Sequence, residues 1–355
     1  MNYKIITTID DFAKLKAEWQ EMENQSSKIT VFSTYNYCYN WWKIFQNLDE
    51  LKLWIIVVIH NKKIVGIAPL NIKTCKIKFG FKIEIIQFLA NGDYHDFLID
   101  NTQGMKTENI YKVIFSVFED FNHSWDKISL THIAHNSLLT NFLFKSKFNQ
   151  NFTTLIENPY IKLDVHDNFN DFFKANSPAK VNQYRNRLLK KFKYKFECNS
   201  LQIHDCAVIH RLEKIHLNNK GLVNRHSMFD DKLQLQFITS LESQGNLEIY
   251  SLRDEQTNKI IIYNWGFLKD SVFYSVNTAY DPMFENFSVG KVMYYEIFNY
   301  AYKTKRFICF DSGTGRYPWK FEWTNDFNLL YQLNINKPRS KYLKKYYELK
   351  TLLKK

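Results

Sequence analysis

The sequence predicts a mixed α+β protein made of two structurally related units. Apolar stripes at helical spacing alternate with short β-rich runs that are bounded by polar turns. Both halves of the 355-residue chain show the same order, namely helices, an antiparallel hairpin or meander, a helix and a short strand. We therefore expect two units, 1–155 and 156–335, each with a mainly antiparallel central sheet flanked by helices, and a basic tail over 336–355.

The first half begins with a strand over 3–7 and two aromatic-rich helices. Thr8 is a predicted N-cap, because Asp11 follows three positions later as in a capping box. Two β-rich runs, 51–59 and 64–72, flank a polar turn and predict a hairpin. The other predicted elements are a helix over 34–45, a strand over 83–89, a polar loop over 91–96, helices over 105–121 and 136–144, and a strand over 127–131.

The second half begins with a basic helix. Ser177-Pro178 predicts its start, because serine accepts a backbone N–H and proline suits the first helical turn. A helix that begins after Ser288 carries apolar residues at i, i+3 and i+4 spacing. The predicted order is helices to 192, over 206–218 and over 230–243, a meander over 247–253, 260–268 and 271–276, the helix to 303, a strand over 306–310, and an irregular segment over 311–323.

Composition limits the class of protein. Apolar residues make up 45% and charged residues 24%, which is typical of globular proteins. The five cysteines are odd in number and lack CxxC spacing, which argues against a disulfide scaffold. The longest apolar run, 53–59, is far too short to span a membrane, and no signal-peptide pattern begins the chain. We therefore expect a cytoplasmic protein, with the inner face of the membrane as an alternative location.

The net charge of +12 is concentrated in two segments. Residues 174–195 contain eight basic side chains and no acidic one, and residues 337–355 contain eight basic side chains and one acidic. Solvated helix faces are the simplest interpretation. Such segments also suit phosphates, nucleic acid or an anionic membrane surface.

Several common catalytic motifs are absent from the sequence, including the phosphate-binding P-loop, HExxH, GxSxG and GxGxxG. The six-residue spacing of His204, His210 and His216 does not place them on one helical face, so no metal site is expected. Arg225 and His226 are interpreted as surface or substrate-loop residues. Asp311-Ser312-Gly313 is similar to the active turn of aspartic proteases, but that chemistry needs a second such turn, which this chain lacks.

The segment Ser288-Val289-Gly290-Lys291 carries the best candidate site. It follows the meander and a long loop and begins a helix, whose first N–H groups and partial positive charge suit a diphosphate. Gly290 permits close approach of the main chain, and Ser288 or Lys291 can add donors. An ordinary helix N-cap is the competing interpretation.

This order of elements resembles the GNAT acyltransferase superfamily, in particular two-unit proteins such as the CelD-like acetyltransferases and the Fem-type peptidyltransferases. The resemblance covers Trp19 to Trp323. The matching segments are Trp19, Phe32-Ser33-Thr34-Tyr35, Trp41-Trp42, Ile64-Val65-Gly66-Ile67-Ala68-Pro69-Leu70, Asp93-Tyr94-His95-Asp96-Phe97-Leu98, Ala279-Tyr280-Asp281-Pro282, Ser288-Val289-Gly290, Phe310-Asp311-Ser312-Gly313, Gly315, Tyr317 and Lys320. The chain departs from the family at Val289, where a proline is usual, and in the separation of Tyr317 from Lys320, so that Trp319 can occupy the tyrosine position.

The resemblance implies an acyltransferase that uses acetyl-CoA or another acyl-CoA as co-substrate and no metal. Pantetheine would pair with the last meander strand around Ser275 and Asn277, and the diphosphate would bind the amides of 288–291. The acceptor, an amine or hydroxyl of an amino sugar or other envelope or polysaccharide precursor, would attack the thioester directly. The implied site residues are Asp311, Tyr317 and Lys320 for catalysis, Ser275, Asn277, Ser288, Val289, Gly290 and Lys291 for the cofactor, and His95 and Asp96 for the acceptor.

Two alternatives remain open from the sequence. A Fem-type aminoacyl transferase would use charged tRNA, and the basic helix would contact RNA phosphates. A non-catalytic basic adaptor for nucleic acid or membranes is the other, although the aromatic residues fall at core spacing and do not interleave with the cations. Independently of these alternatives, the tail is expected to be an amphipathic helix that packs on the body or rests on an anionic bilayer, where a lipid-linked acceptor would reside. The acceptor can otherwise be a small molecule.

Overall fold

The computed structural model describes residues 1–26, 29–48, 50–77, 80–101, 106–222, 226–339 and 343–345, and in it the chain forms two units. The first unit contains Met1–Ile156 together with Leu329–Lys355, and the second contains Glu157–Asn328. The sequence predicts a second unit that continues to 335. The chain instead returns to the first unit at Leu329, because Leu333 is buried in the apolar core of that unit.

The first unit has two sheets and five α-helices among its described residues. Its helices are α1 (Ile9–Lys14), α2 (Lys16–Gln25), α3 (Tyr35–Phe45), α4 (Thr107–Asp120) and α5 (Leu138–Lys145). Its strands are β1 (Asn2–Ile6), β2 (Leu51–Leu53), β3 (Ile55–His60), β4 (Lys63–Ala68), β5 (Leu70–Lys76), β6 (Lys82–Phe88), β7 (Leu98–Ile99) and β8 (Lys127–Ala134), with the start of β9 (Phe152–Lys162).

The second unit begins within β9 and ends within the last strand. Its helices are α6 (Phe169–Asn176), α7 (Val181–Phe192), α8 (Ile203–Asn219), α9 (Lys232–Ser243) and α10 (Val289–Thr304). Its strands are β10 (Tyr194–Cys198), β11 (Glu248–Asp254), β12 (Ile260–Lys269), β13 (Val272–Tyr280) and β14 (Cys309–Asp311), and β15 (Phe327–Asn336) leads back to the first unit.

The predicted hairpin of the first half is divided between two sheets. One sheet has the order β1-β3-β4-β7, whereas β2 and β5 pair with each other in the other, where β5, β6 and β8 follow in order. The break in the second run falls at Pro69, which lacks the N–H that a continuous ladder requires. Thr8 is the N-cap of α1, as predicted, and its hydroxyl accepts the N–H of Asp11 at 3.2 Å.

The basic helix begins three residues later than predicted. Ser177 is extended, with φ −72° and ψ 140°, as expected for a residue that precedes proline. The chain therefore ends α6 at Asn176 and begins α7 at Val181, after Lys180 in the left-handed region. Helix α6 was not predicted from the sequence; its N-cap Asn168 accepts the N–H of Asp171 at 3.0 Å.

The sheet of the second unit has the order β10-β11-β12-β13-β14-β9. All of its neighbouring strands are antiparallel except β13 and β14, which are parallel. Helix α10 lies against this sheet and buries Val292, Met293 and Ile297 in the core. The mixed α+β class with antiparallel-dominated sheets and flanking helices is thus confirmed.

In the described part of the chain, no helix is long and apolar enough to cross a membrane. The predicted amphipathic tail helix falls mostly outside the described residues. Of its residues the structure describes only 343–345 beyond Arg339, and Leu343 is buried there.

Candidate active site

The edge of β13 opens midway along the strand. Its first residues, Val272 to Tyr274, pair with β14, but the strand continues to Tyr280 with only β12 beside it in the described residues. A bulge lies opposite the junction of Trp265 and Gly266. Glycine is required at 266, because an ideal Cβ there would lie 2.0 Å from the carbonyl oxygen of Tyr274.

The direction of the main-chain groups on β13 follows from its register. The N–H of Asp281 bonds to the carbonyl of Ile261 at 2.9 Å, and Tyr280 and Thr278 lie opposite Ile262 and Asn264. Because main-chain groups alternate in direction along a strand, those of Tyr280 and Thr278 point away from β12 toward the open edge. The edge therefore offers hydrogen-bonding groups to a ligand.

The turn before α10 lies next along the chain. Ser288 adopts the left-handed region with φ 49°, and its carbonyl accepts the N–H of Lys291 at 3.0 Å. An ideal Cβ on Gly290 meets no atom within 4 Å, so the main chain of the first helical turn faces open space. The side chain of Lys291 forms an ion pair with Glu322 at 3.1 Å.

A cavity of about 710 Å³ in the second unit joins these two features. It is lined by the predicted cofactor residues Asn277, Ser288, Val289, Gly290 and Lys291, and its volume suits a small-molecule ligand. Ser275 does not line it. The Ser275 hydroxyl is buried and exchanges hydrogen bonds with the side chain of Asn264 at 3.0 and 3.1 Å.

The predicted catalytic residues lie at the end of β14 (Asp311) and in the segment after it (Tyr317 and Lys320), and they are not among the cavity-lining residues. Lys320 is 5% exposed, and its ammonium donates to the carbonyls of Gly313 and Thr314 at 2.7 and 2.8 Å. Asp311 accepts the N–H of Gly313 at 3.0 Å. Tyr317 is 39% exposed. Lys320 and Asp311 thus hold the loop, whereas Trp319, the alternative to Tyr317, does line the cavity.

Glu213 is the cavity residue that sequence reasoning missed. It projects from α8 beside His210 and Lys214, which also line the cavity. Its carboxylate accepts the N–H of Tyr280 at the open edge of β13, and burial raises its pKa to about 7. The sequence signal was weak, because a glutamate in a helix is ordinarily solvated and only the tertiary structure brings α8 to β13.

Two histidines, His210 and His226, line the cavity. The ring of His210 bonds to the hydroxyl of Ser227 at 2.7 Å, and burial lowers its pKa. His226, interpreted from the sequence as a surface or substrate-loop residue, also lines the cavity wall. Arg225, singled out with it in the sequence, lies outside the described residues. No cluster of three or more potential metal ligands occurs among the described residues.

The predicted acceptor residues His95 and Asp96 belong to the first unit. His95 is 7% exposed, stacks on Phe88 at 4.8 Å between ring centroids, and has a pKa lowered to about 3 by burial. Burial raises the pKa of Asp96 to about 7, and its carboxylate accepts the N–H of Phe97 at 2.7 Å.

Two arginines of the basic helix α7 make contacts within the second unit. Arg185 pairs with Glu296 at 2.8 Å and lies over the ring of Tyr295. Arg187 donates to the carbonyl of Asn286, next to the turn before α10, and lies over Phe287. Other cations of this segment are exposed to solvent, namely Lys180, Lys190, Lys191 and Lys193.

Comparisons with known proteins agree with this geometry. Residues 178–321 match the family model of the acetyltransferase (GNAT) domain, and this range contains the open strand, most of the residues that line the cavity, and α10. A comparison with curated protein sequences gives no match.

Solved structures share the fold over nearly the whole chain at low sequence identity. The crystal structure of FemX matches with a TM-score of 0.60 and 11% identity, over 95% of this chain and 98% of that one. A tandem GNAT protein from the clavulanic acid biosynthesis pathway matches with a TM-score of 0.53 and 8% identity, over 96% and 100%. L-PGS from Bacillus licheniformis matches with a TM-score of 0.50 and 10% identity, over 94% of each chain. The predicted resemblance is confirmed: residues 178–321 match the GNAT acetyltransferase domain, and the chain shares its fold with FemX and with a tandem GNAT protein.

Proposed function

We propose that the protein transfers an acyl group, most simply acetyl, from acyl-CoA to an amine or hydroxyl of an amino sugar or other envelope or polysaccharide precursor. The observation that carries the proposal is the cavity, which connects the open edge of β13 with the start of α10. A pantetheine thioester ending in a diphosphate has a polar chain for the strand edge and an anion for the helix start.

The residues 288–291 fit a diphosphate. Gly290 faces open space, so an anion can approach the main chain closely. The partial positive charge of a helix N-terminus favours that anion. Lys291 would contribute a donor by exchanging its exposed partner Glu322 for a phosphate oxygen, a change of low cost because surface ion pairs contribute only about 0–1 kcal/mol.

The strand edge fits the thioester arm. The main-chain groups of Thr278 point into the opening, and Asn277 lines the cavity beside it. Ser275 would act through Asn264, since its hydroxyl is held there. Positioning of the two substrates would supply most of the rate acceleration, with a base and an acid to move protons.

The roles of the remaining predicted residues are part of the proposal. Asp311 and Lys320 would shape the loop at the acceptor end, and Tyr317 would be a proton donor. His95 and Asp96 would recognise the acceptor from the first unit. The site would need no metal, and the protein would work in the cytoplasm or at the inner face of the membrane.

A second candidate is a Fem-type transferase that uses aminoacyl-tRNA. It is favoured by the fold shared with FemX and by the exposed cations on α7, whose Arg187 contacts the turn before α10. The donor would then be an aminoacyl ester on RNA, and the α7 cations would contact phosphates.

A thermal-shift screen with acetyl-CoA, longer acyl-CoAs and free CoA tests the first candidate. A ligand at 100 times its dissociation constant should stabilise the protein by about 2.7 kcal/mol. The variant Gly290→Asp places a carboxylate where the diphosphate would lie and should abolish the shift. No shift with any thioester, together with unchanged behaviour of Gly290→Asp, would refute the proposal.

Filter binding of tRNA over a range of salt concentrations distinguishes the second candidate. Specific retention that weakens steeply with salt, and weakens further in a Lys190→Ala/Lys193→Ala variant, is expected only if RNA contacts α7. Equal retention by the variant would exclude that surface.

A further inference from the structure

Helix α8 exposes an apolar stripe to solvent. Val208, Leu212 and Ile215 recur at i, i+4 and i+7, and their side chains are 43%, 44% and 56% exposed. Leu222, which follows the end of the helix, is 65% exposed. These four residues, called the α8 stripe below, lie outside the buried face of α8, so the helix has a second apolar face that the described residues leave uncovered.

The apolar surface continues from α8 to the short 3₁₀ helix Pro282–Phe287. Leu212 and His216 are neighbours one turn apart on α8, and the ring of His216 bonds to Glu285 at 3.2 Å. Met283 lies two residues before Glu285 and is 49% exposed. A fifth aliphatic side chain therefore lies beside the α8 stripe, close to the cavity that Glu285 lines.

The carboxylates beside α8 are neutralised by basic side chains of the helix. Glu285 and Asp230 are each bound by two of them. The four basic residues are Arg211, Lys214, His216 and Lys220. The flanks of the α8 stripe therefore carry little negative charge that would repel an anionic surface.

Unpaired cations of α7 lie on the other side of Pro282–Phe287. Arg187 and Lys191 lie over the ring of Phe287, at 5.1 and 5.5 Å from its centroid. Among the described residues neither cation is paired with a carboxylate, and Arg187 donates instead to the carbonyl of Asn286. The surface around Met283 is therefore positively charged, in a chain whose net charge is +12, and it complements an anionic surface.

The size of the exposed patch argues against a second copy of the chain as its occupant. A stable dimer buries about 800 Å² on each partner, contributed by about 20–30 residues. The α8 stripe and Met283 provide five side chains that are each about half exposed. A bilayer requires less, because a few apolar side chains in the headgroup region add to the attraction between cations and anionic lipids.

We propose that the α8 stripe and Met283 form a docking surface for an anionic lipid bilayer. The inference goes beyond the proposed acyl transfer and does not depend on it. The other side of α8 lines the cavity through His210, Lys214 and Leu217. Docking would therefore hold the cavity close to the bilayer, within reach of a substrate that is carried by a lipid.

Co-sedimentation of the full chain with vesicles tests the surface. The wild type should bind vesicles of phosphatidylcholine with about 30% phosphatidylglycerol about 10-fold or more tightly than vesicles of phosphatidylcholine alone. Binding to the anionic vesicles should weaken several-fold as the salt concentration rises from about 0.1 to about 0.5 M, because salt screens the attraction. Absence of binding, or equal binding to both kinds of vesicle, would overturn the proposal.

The double variant Leu212→Gln/Ile215→Gln tests the α8 stripe. Glutamine suits a helix and both positions are exposed, so the melting temperature should stay near that of the wild type, while binding to anionic vesicles should weaken about 10-fold or more. Val165→Gln/Ile308→Gln is the matched control, with side chains that are 59% and 44% exposed in the same unit. Equal vesicle binding by the two double variants would overturn the role of the stripe.

The control positions lie away from the α8 stripe. The N–H of Ile308 bonds to the carbonyl of Ser271, just before β13 begins, whereas α8 meets the other end of that strand at Tyr280. Val165 follows β9, which is separated from β13 by β14. The control should therefore bind anionic vesicles as the wild type does.

A gain of binding provides a test that does not depend on removing side chains. Ile215→Trp enlarges the exposed apolar surface, and tryptophan favours the bilayer interface, so binding to anionic vesicles should tighten about 3-fold or more. Unchanged binding by this variant would contradict insertion of the stripe. Sedimentation equilibrium without vesicles should show a monomer, and a dimer that the double variant Leu212→Gln/Ile215→Gln dissociates would identify a second copy as the occupant and overturn the proposal.

Failure of this inference and failure of the proposed function are distinguishable. A monomer that binds acetyl-CoA but no vesicles would overturn the docking surface alone, and would leave the stripe to a partner protein. Stripe-dependent binding to anionic vesicles by a protein that binds no acyl-CoA would support the docking surface and overturn the proposed function.

Discussion

Replacing Gly290 by alanine separates the stability of α10 from its proposed function. Gly290 is the second residue of the helix, and the added methyl group meets no atom within 4 Å. The unfolded chain loses conformational freedom when glycine becomes alanine, and alanine suits a helix better. The variant should therefore be more stable than the wild type by about 0.4–1 kcal/mol.

Binding of the donor should change in the opposite direction. The methyl group occupies the space through which a diphosphate would approach the main chain. Overpacking of this kind costs about 1–3 kcal/mol, which corresponds to roughly 5- to 150-fold in affinity. The variant should thus melt about 1–4 °C higher without ligand and bind acetyl-CoA at least 5-fold more weakly.

Thermal melts and calorimetric titration of the same preparations measure both effects. Unchanged affinity in a stabilised variant would refute contact between the diphosphate and the main chain at Gly290. A lower melting temperature would contradict the conclusion that a Cβ at position 290 meets no other atom.

Three other predictions concern the same unit. Gly266→Ala should lower the unfolding free energy by about 1–3 kcal/mol in urea titration, because the new Cβ would meet a carbonyl oxygen. A variant as stable as the wild type would contradict the close contact between residue 266 and that oxygen. Lys320→Met should also destabilise the fold, by about 3 kcal/mol, since two buried carbonyls lose their donor; loss of acyl transfer with unchanged stability would instead support a catalytic role. Burial raises the pKa of Glu213 from 4.5 to about 7, so the folded state binds the proton more tightly than the unfolded state. The contribution of this protonated carboxyl to the free energy of unfolding is therefore complete below pH 4.5. That free energy falls by about 3 kcal/mol as the pH rises to about 7. Urea titrations at pH 5 and 8 should show a smaller decrease in unfolding free energy for Glu213→Gln than for the wild type. An equal decrease in both proteins would contradict the raised pKa of Glu213.

Local features of the chain were predictable, whereas long-range pairings were not. Thr8 caps α1 because a cap involves only residues three apart. The strands β9, β10 and β15 were missed, since each is defined by partners far away in sequence. The catalytic candidates Asp311 and Lys320 both bond to main-chain groups of the loop after β14, and the sequence could not predict those contacts because they depend on how the loop folds.

The amino-acid sequence alone determined the class of elements, the apolar face of α10 and the turn at 288–291, because helical periodicity and the absence of a side chain at Gly290 are properties of neighbouring residues. The tertiary structure decided which residues line the cavity. It brings α8 to the open edge of β13, so that Glu213 meets an N–H almost seventy positions away and loses water. Burial and charge pairing arise only when distant segments meet, and for that reason no pattern along the chain could have singled out this glutamate.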